Sequence, residues 1–169
     1  MAVNSMPLTI GEILQKVKVA GSKLDRIKIL KDNDSKQLRD FLRLAFDPSV
    51  KLDISENVLY TPNPKPIGFG DTTLKTQLTK TNSRPGGFYM FFHKNTPRLR
   101  QAKREILFIQ LLEGLDKQEA AFLVEAKNKK LDVGLTRKVI DEVFPGLLSG
   151  ASSKTEKSHE EEITAESNS

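Results

Sequence analysis

Proline and glycine divide the chain into two helical parts. Prolines stand at positions 62, 64, 66, 85 and 97, and two glycines adjoin at 86 and 87. Proline lacks a backbone N–H and clashes with the preceding turn, so no long helix is expected to run through most of residues 49–97. Within this segment Asn57–Thr61 and Phe88–Phe92 are candidate short strands, and Asp71–Lys80 predicts one short helix.

Apolar residues recur at helical spacing on both sides of this segment. The three predicted N-terminal helices carry the apolar positions Ile10, Ile13, Leu14 and Val17, then Leu24, Ile27 and Leu30, then Leu38, Phe41, Leu42 and Ala45. Behind Thr96, a candidate N-cap, and Pro97, a helix is predicted with Leu99, Ile106, Ile109, Leu112 and Leu115 facing the core. Two more follow, over residues 116–129 and 136–144. The predicted fold class is all-α, with two groups of about three helices joined by a long irregular basic segment.

The length and composition exclude most catalytic classes. A chain of 169 residues fits one domain, which we place at residues 1–150, with a disordered serine- and glutamate-rich acidic tail at 151–169. The chain has no cysteine and two histidines, so thiolate zinc sites, disulfides and catalytic triads are not expected. No apolar run approaches a membrane span, and the N-terminus does not resemble a secretory signal. We therefore expect no metal, cofactor or membrane partner, and a cytoplasmic location.

Positive charge is concentrated in the middle of the chain. Residues 61–104 hold 9 basic and 1 acidic side chains, whereas the rest of the chain holds 18 basic and 21 acidic ones. Such a concentration favours a polyanionic partner, although a solvated lysine-rich surface is the simpler alternative. The acidic tail would either compete with nucleic acid for this surface or act only as a solubilising segment.

Four cationic residues occupy the predicted helix start after Pro97. They are Arg98, Arg100, Lys103 and Arg104. Cations at this end oppose the helix dipole, so they cost stability unless an anion binds there. We predict that these four contact phosphates, with a second tier of Lys75, Lys80 and Arg84.

The turn before the last helix is a second candidate phosphate site. Gly134 precedes Thr136, a predicted N-cap, and the open N–H groups of residues 134–136 would face an anion together with Arg137 and Lys138. An ordinary turn between helices with a C-capping glycine is the alternative.

Aromatic residues cluster at Phe88–Phe92, where four of the eleven in the chain stand. Base stacking is one interpretation of this cluster. Anchoring of an irregular segment to the core is the favoured one, because an exposed cluster of that size would promote aggregation.

Three stretches together resemble a known family. They are Leu8–Leu14, Lys28–Asp34 with the following Leu38–Ala45, and Leu131–Gly134 through Val143–Gly146. This pattern resembles the N-terminal DNA-binding domain of T-even phage ATP-dependent DNA ligases over about residues 8–148, although Phe144 stands where tryptophan is common. The resemblance implies an all-helical module that grips the duplex phosphodiester backbone in the cytoplasm of an infected bacterial host.

The catalytic lysine motif of such ligases, Lys-x-Asp-Gly, is missing. Lys23, Lys51 and Lys130 each begin a Lys-Leu-Asp sequence, but a bulky residue follows where glycine belongs. We therefore expect a non-catalytic phage accessory protein that binds double-stranded DNA without base readout. The alternative is an adaptor for a phage replication or virion protein.

Overall fold

The regular elements are helices throughout the residues that the structure, a computed structural model, describes: 7–79, 90–92 and 96–148. The N-terminal group comprises α1 (Ile10–Val19), α2 (Lys23–Asp32) and α3 (Lys36–Phe46). A short helix, α4, spans Leu74–Thr79, and the C-terminal group comprises α5 (Gln101–Gly114), α6 (Lys117–Lys127) and α7 (Arg137–Val143). The all-α prediction and its two groups of three helices are confirmed. The predicted tail lies outside the described residues.

Hydroxyl and carboxylate caps set where most of these helices begin. Thr9 forms a capping box with Glu12 at α1, and the Ser22 and Ser35 hydroxyls accept backbone N–H groups at α2 and α3. Asp116 caps α6 in the same way. The predicted Thr96 cap is wrong, because α5 begins at Gln101 with no side-chain cap. These caps satisfy N–H groups that a helix cannot pair internally.

The two helical groups share one core. Helix α6 packs against α1, α3 and α5, while α2 contacts both α1 and α7. The largest apolar side chains at this centre are fully buried: Phe41, Phe108, Leu14, Leu30, Leu38, Leu42, Leu112 and Leu123. Apolar spacing overstated burial at two positions, since Leu24 is 77% and Ile106 49% exposed. The helices therefore form one body around α6.

The segment before α4 lies against the far end of α5. The Thr61 N–H donates to Glu113, and the Asn63 amide donates to the Glu113 carbonyl at 3.0 Å. One parallel bridge pairs Asn63 with Asp116, and no strand forms at 57–61. The strand prediction there is wrong because side-chain contacts to α5 take the place of a partner strand.

The second predicted strand, Phe88–Phe92, is also absent from the residues of it that the structure describes. Phe91 is buried and lies edge-on to Phe108, with ring centroids 5.2 Å apart at 87°. The core interpretation is confirmed for Phe91, whereas Phe88 and Tyr89 lie outside the described residues. The predicted helix at 71–80 is confirmed as α4.

A buried carboxylate joins the starts of two helices. Glu119 is fully buried and accepts the N–H of Gly11 in α1 at 2.8 Å and that of Leu74 in α4 at 2.9 Å. Burial raises the pKa of Glu119, and these two hydrogen bonds partly offset that rise. A Cβ on Gly11 would lie 2.6 Å from the Glu119 side chain, so glycine is required at that position. Glu119 thereby fixes α1 and α4 on α6.

Candidate nucleic-acid interface

The start of α5 displays three exposed cationic side chains. Arg98, Arg100 and Lys103 are exposed, and Arg100 is the residue that precedes the helix. The first turn contains no acidic residue, and the Arg100 side chain makes no capping hydrogen bond. Because the free N–H groups at a helix start form its positive end, they reinforce the potential of the three side chains. We name Arg98, Arg100 and Lys103 the α5 cluster.

Acidic groups next to the α5 cluster are bound to other partners. Glu105 accepts the backbone N–H and the hydroxyl of Ser55, each at 2.7 Å, and the Gln101 amide at 2.8 Å. Burial raises the Glu105 pKa, but these hydrogen bonds outweigh it and the net shift is downward. Within the described residues, no carboxylate forms an ion pair with the α5 cluster. Its charge therefore remains available to a ligand.

Arg104, predicted as a phosphate contact, is instead buried. Its side chain is 1% exposed and its guanidinium donates to the Thr96 carbonyl at 2.7 Å, to Asp53 at 2.9 Å and to Gln101 at 3.0 Å. The prediction failed because Arg104 lies four residues before Phe108, on the face of α5 that turns inward. Its charge is neutralised by Asp53 within the fold.

Gly134 and Thr136 have structural roles in the second predicted site. Gly134 has a φ of 81°, and a Cβ there would lie 2.7 Å from Nε of Arg26. The Arg26 guanidinium, which donates to the carbonyls of Val17 and Ala20, lies beside this glycine. Thr136 caps α7 as predicted. The alternative, an ordinary turn between two helices, agrees with this geometry, except that the left-handed residue directly after α6 is Lys129 and not a glycine.

Arg137, also predicted as a phosphate contact, instead points into the protein. Its Nη1 donates to the Phe46 carbonyl at 2.6 Å, while its Nε and Nη2 are buried without a partner among the described residues. Lys138 is exposed, but it lies near Glu142, which Lys23 binds at 2.7 Å. Of the residues predicted around this turn, only Lys138 presents an exposed positive side chain. The site is therefore much weaker than the α5 cluster.

Lys75, the second-tier residue that the structure describes, does not extend the α5 cluster. The backbone N–H of Thr72 donates to the Gly114 carbonyl, which places α4 and its half-buried Lys75 near the opposite end of α5. That end lies about 20 Å from the cluster, at 1.5 Å per residue. Lys80 and Arg84 lie outside the described residues.

Lys51 is an exposed cation to which the sequence analysis assigned no binding role. Lys51 stands two residues before Asp53, the partner of Arg104. Lys51 also lies close enough to the half-buried Lys129 to repel its positive charge. Burial, with Lys51 acting in the same direction and Asp47 against it, lowers the pKa of Lys129 to about 8. The sequence signal was weak, because Lys51 stands alone in an irregular segment.

The described residues offer neither a metal site nor a membrane span. No three histidine, cysteine, aspartate or glutamate side chains there are grouped to hold a metal ion. None of the helices in that part of the chain has the length and apolarity that a bilayer crossing requires.

Comparison with known proteins defines the fold and the family. No curated protein matches the chain. A solved chain named Pmar-Lig_PreS3 has a similar fold, with a TM-score of 0.59 and 20% sequence identity. The similarity covers 83% of this chain and 31% of that chain, so this chain spans less than a third of its solved neighbour. A family model matches residues 13–133, and the chain therefore belongs to DUF6433, a family of unknown function.

Proposed function

We propose that this chain is a non-catalytic phage accessory protein that binds the phosphate backbone of double-stranded DNA. The observation that carries the proposal is the α5 cluster, where three exposed cations surround an uncapped helix start with no acid in its first turn. Such an arrangement recognises charge and spacing along a phosphate chain and carries no information about base sequence. The ligase resemblance supports duplex DNA as the polyanion.

The helical unit is also consistent with a binding module that carries no chemistry of its own. The neighbouring solved chain contains a similar unit as 31% of its length. The described residues of this chain hold no metal-binding group, and its sequence lacks the Lys-x-Asp-Gly nucleophile motif. We expect incubation with ATP and nicked DNA to give no AMP adduct and no sealing.

An adaptor for a phage replication or virion protein is the second candidate. Three large apolar side chains, Leu59, Ile67 and Phe69, are 89%, 46% and 70% exposed on the segment before α4. Large apolar side chains that remain exposed on one segment are candidates for protein contacts. This segment lies against the end of α5 opposite the α5 cluster, so the two candidate functions concern separate surfaces.

Binding of a fluorescent duplex at several salt concentrations tests the DNA proposal. Each phosphate contact contributes about −0.9 to the slope of log affinity against log salt, so the α5 cluster supplies about −2.7. That slope alone weakens binding about 40-fold between ~50 and ~200 mM salt. A variant with Arg98→Gln, Arg100→Gln and Lys103→Gln should lose this part of the slope.

A matched variant controls for the loss of net charge. Lys16, Lys18 and Lys117 are exposed. Lys117 begins α6, next to the end of α5 opposite the α5 cluster, and the Gln118 amide contacts Gln15 of α1, the helix that carries the other two lysines. Changing these three to glutamine removes the same charge and should leave the salt slope nearly intact. If duplex DNA does not bind at low salt, the DNA proposal is wrong and the adaptor function is favoured. If both variants lose the same slope, DNA binds by overall charge and the α5 cluster is not the site.

A further inference from the structure

We infer that Arg104 is a positioning residue for the α5 cluster, holding the backbone that carries Arg98 and Arg100 without touching the ligand. This inference depends on the proposed function of that cluster. In this view a buried cation, Arg104, holds in place the backbone of two exposed cations, Arg98 and Arg100.

The guanidinium of Arg104 gathers several carbonyl groups around the start of α5. Nη2 donates to the Thr96 carbonyl at 2.7 Å and to the Leu99 carbonyl at 3.3 Å, and Nε donates to the Met90 carbonyl at 3.3 Å. The Thr96 and Leu99 carbonyls lie on either side of Arg98, and Arg100 follows directly. The Arg104 N–H also donates to the Arg100 carbonyl at 3.0 Å, as in a regular helix. The Arg104 side chain therefore holds the backbone at Thr96 and Leu99, which precedes α5, against the second turn of this helix.

Only arginine suits this position. A guanidinium offers five N–H donors in a planar fork, and here it serves carbonyls on one side and the Asp53 carboxylate on the other. A lysine would keep the charge but would supply a single ammonium that cannot span these acceptors. Arg104→Lys therefore separates geometry from charge.

A positioning role for Arg104 and a direct contact between Arg104 and a phosphate predict different effects on DNA binding. Because Asp53 neutralises Arg104 and the side chain is 1% exposed, its own charge adds little to the outward potential. Its effect on DNA must pass through Arg98 and Arg100, whose backbone would otherwise have to be ordered when DNA binds. Loss of Arg104 should then matter only while those two side chains are present.

A double-mutant cycle measures this dependence. Arg104→Lys should weaken duplex binding about tenfold in the wild-type background and less than about twofold when Arg98→Gln and Arg100→Gln are already present. A direct phosphate contact would predict little change on Arg104→Lys, since the charge is kept. An equal loss in both backgrounds would indicate general damage to the fold. Either result overturns the inference.

Amide hydrogen exchange tests the same idea without DNA. Arg104→Lys should speed exchange at Leu99, whose N–H bonds the Thr96 carbonyl, while α6 amides stay protected. A wild-type protein that fails to bind DNA would refute the proposed function, whereas unchanged Leu99 exchange would refute the positioning role.

If Arg104→Lys does not fold, Thr96→Val is the second variant. It removes a hydroxyl that accepts from Arg104 at 3.3 Å and donates to the Met90 carbonyl at 2.8 Å. It should show the same background dependence at about threefold. A Thr96→Val effect that persists without Arg98 and Arg100 would likewise overturn the inference.

Discussion

Replacing Arg100 by aspartate should make the free protein more stable and its complex with DNA weaker. Arg100 occupies the N-cap position of α5 with a φ of −67° and a ψ of 144°, the extended conformation that a capping aspartate adopts. Its own side chain makes no capping hydrogen bond, and the first turn holds no acid. An aspartate there would accept a first-turn N–H and would place a negative charge at the positive end of the helix.

The expected gain follows from these two effects. A capping side chain contributes about 1 kcal/mol to the free energy of unfolding, and a favourable charge at an exposed helix end contributes about 0.3–1 kcal/mol. The sum is about 1–2 kcal/mol. For a chain of this size each kcal/mol raises Tm by about 2–4 °C, so Arg100→Asp should raise it by about 2–8 °C.

Thermal unfolding of three variants separates cap from charge. Arg100→Asn supplies the cap without the negative charge and should recover most of the gain, whereas Arg100→Ala supplies no cap and should gain less. Added salt should reduce only the part that comes from charge. On duplex DNA, Arg100→Asp should bind at least about 8-fold more weakly at 0.1 M salt, the value for one lost phosphate contact. A Tm that falls in Arg100→Asp would refute the reasoning about the helix start; unchanged DNA binding would refute the site.

Three further substitutions test contacts that hold the helices and the irregular segment together. Gly70→Ala should cost about 1–3 kcal/mol in urea unfolding, because its Cβ would lie 2.5 Å from the backbone nitrogen of Asp116, whereas Gly21→Ala, with open space around it, should be neutral or slightly stabilising. Glu119→Gln leaves one amide oxygen to accept from two buried N–H groups and turns its NH2 donor toward one of them, so it should cost about 1–3 kcal/mol; a more stable variant would contradict this. The Lys129 pKa of about 8 lies below its unfolded value, so this lysine's contribution to stability should rise between pH 8 and 10.5 and be lost as the pH falls through 8. The Tm difference between wild type and Lys129→Met should therefore shift in favour of wild type over that range, and a constant difference would count against the lowered pKa.

Much of the fold could be predicted because it depends on local signals. Ser22, Ser35 and Thr136 cap helices where the sequence places them, and apolar spacing located six of the seven helices in the described residues. Burial was less predictable, because it depends on which neighbour covers a helix face. Leu24 continues the apolar stripe of α2, yet it is exposed because no other helix of the described part of the chain covers that position.

The site was harder to predict because a cation in a sequence does not reveal its partner. Arg104 and Lys103 are neighbours of similar charge, but the helical turn sends one inward to backbone carbonyls and the other outward to water. Arg137 follows the same logic, since its guanidinium finds the free carbonyl of Phe46 at the end of α3. The contacts of Arg104 with Asp53 and of Arg137 with Phe46 join residues far apart in sequence, and no local pattern indicates them.

Because some of the predicted cations are buried and others are exposed, the expected slope of log affinity against log salt changes. The six strongest candidates from the sequence would give a slope of about −5.4 if each met a phosphate. The structure uses Arg104 and Arg137 internally, which leaves four of the six and a slope of about −3.6. Arg104→Lys should then leave the slope itself nearly unchanged while lowering affinity, whereas Lys103→Gln should reduce it by about 0.9. A slope near the larger value that Arg104→Gln lowers by about 0.9 would mean that the buried guanidinium turns outward on DNA, and the assignment of Arg104 as a fixed internal brace would have to be abandoned.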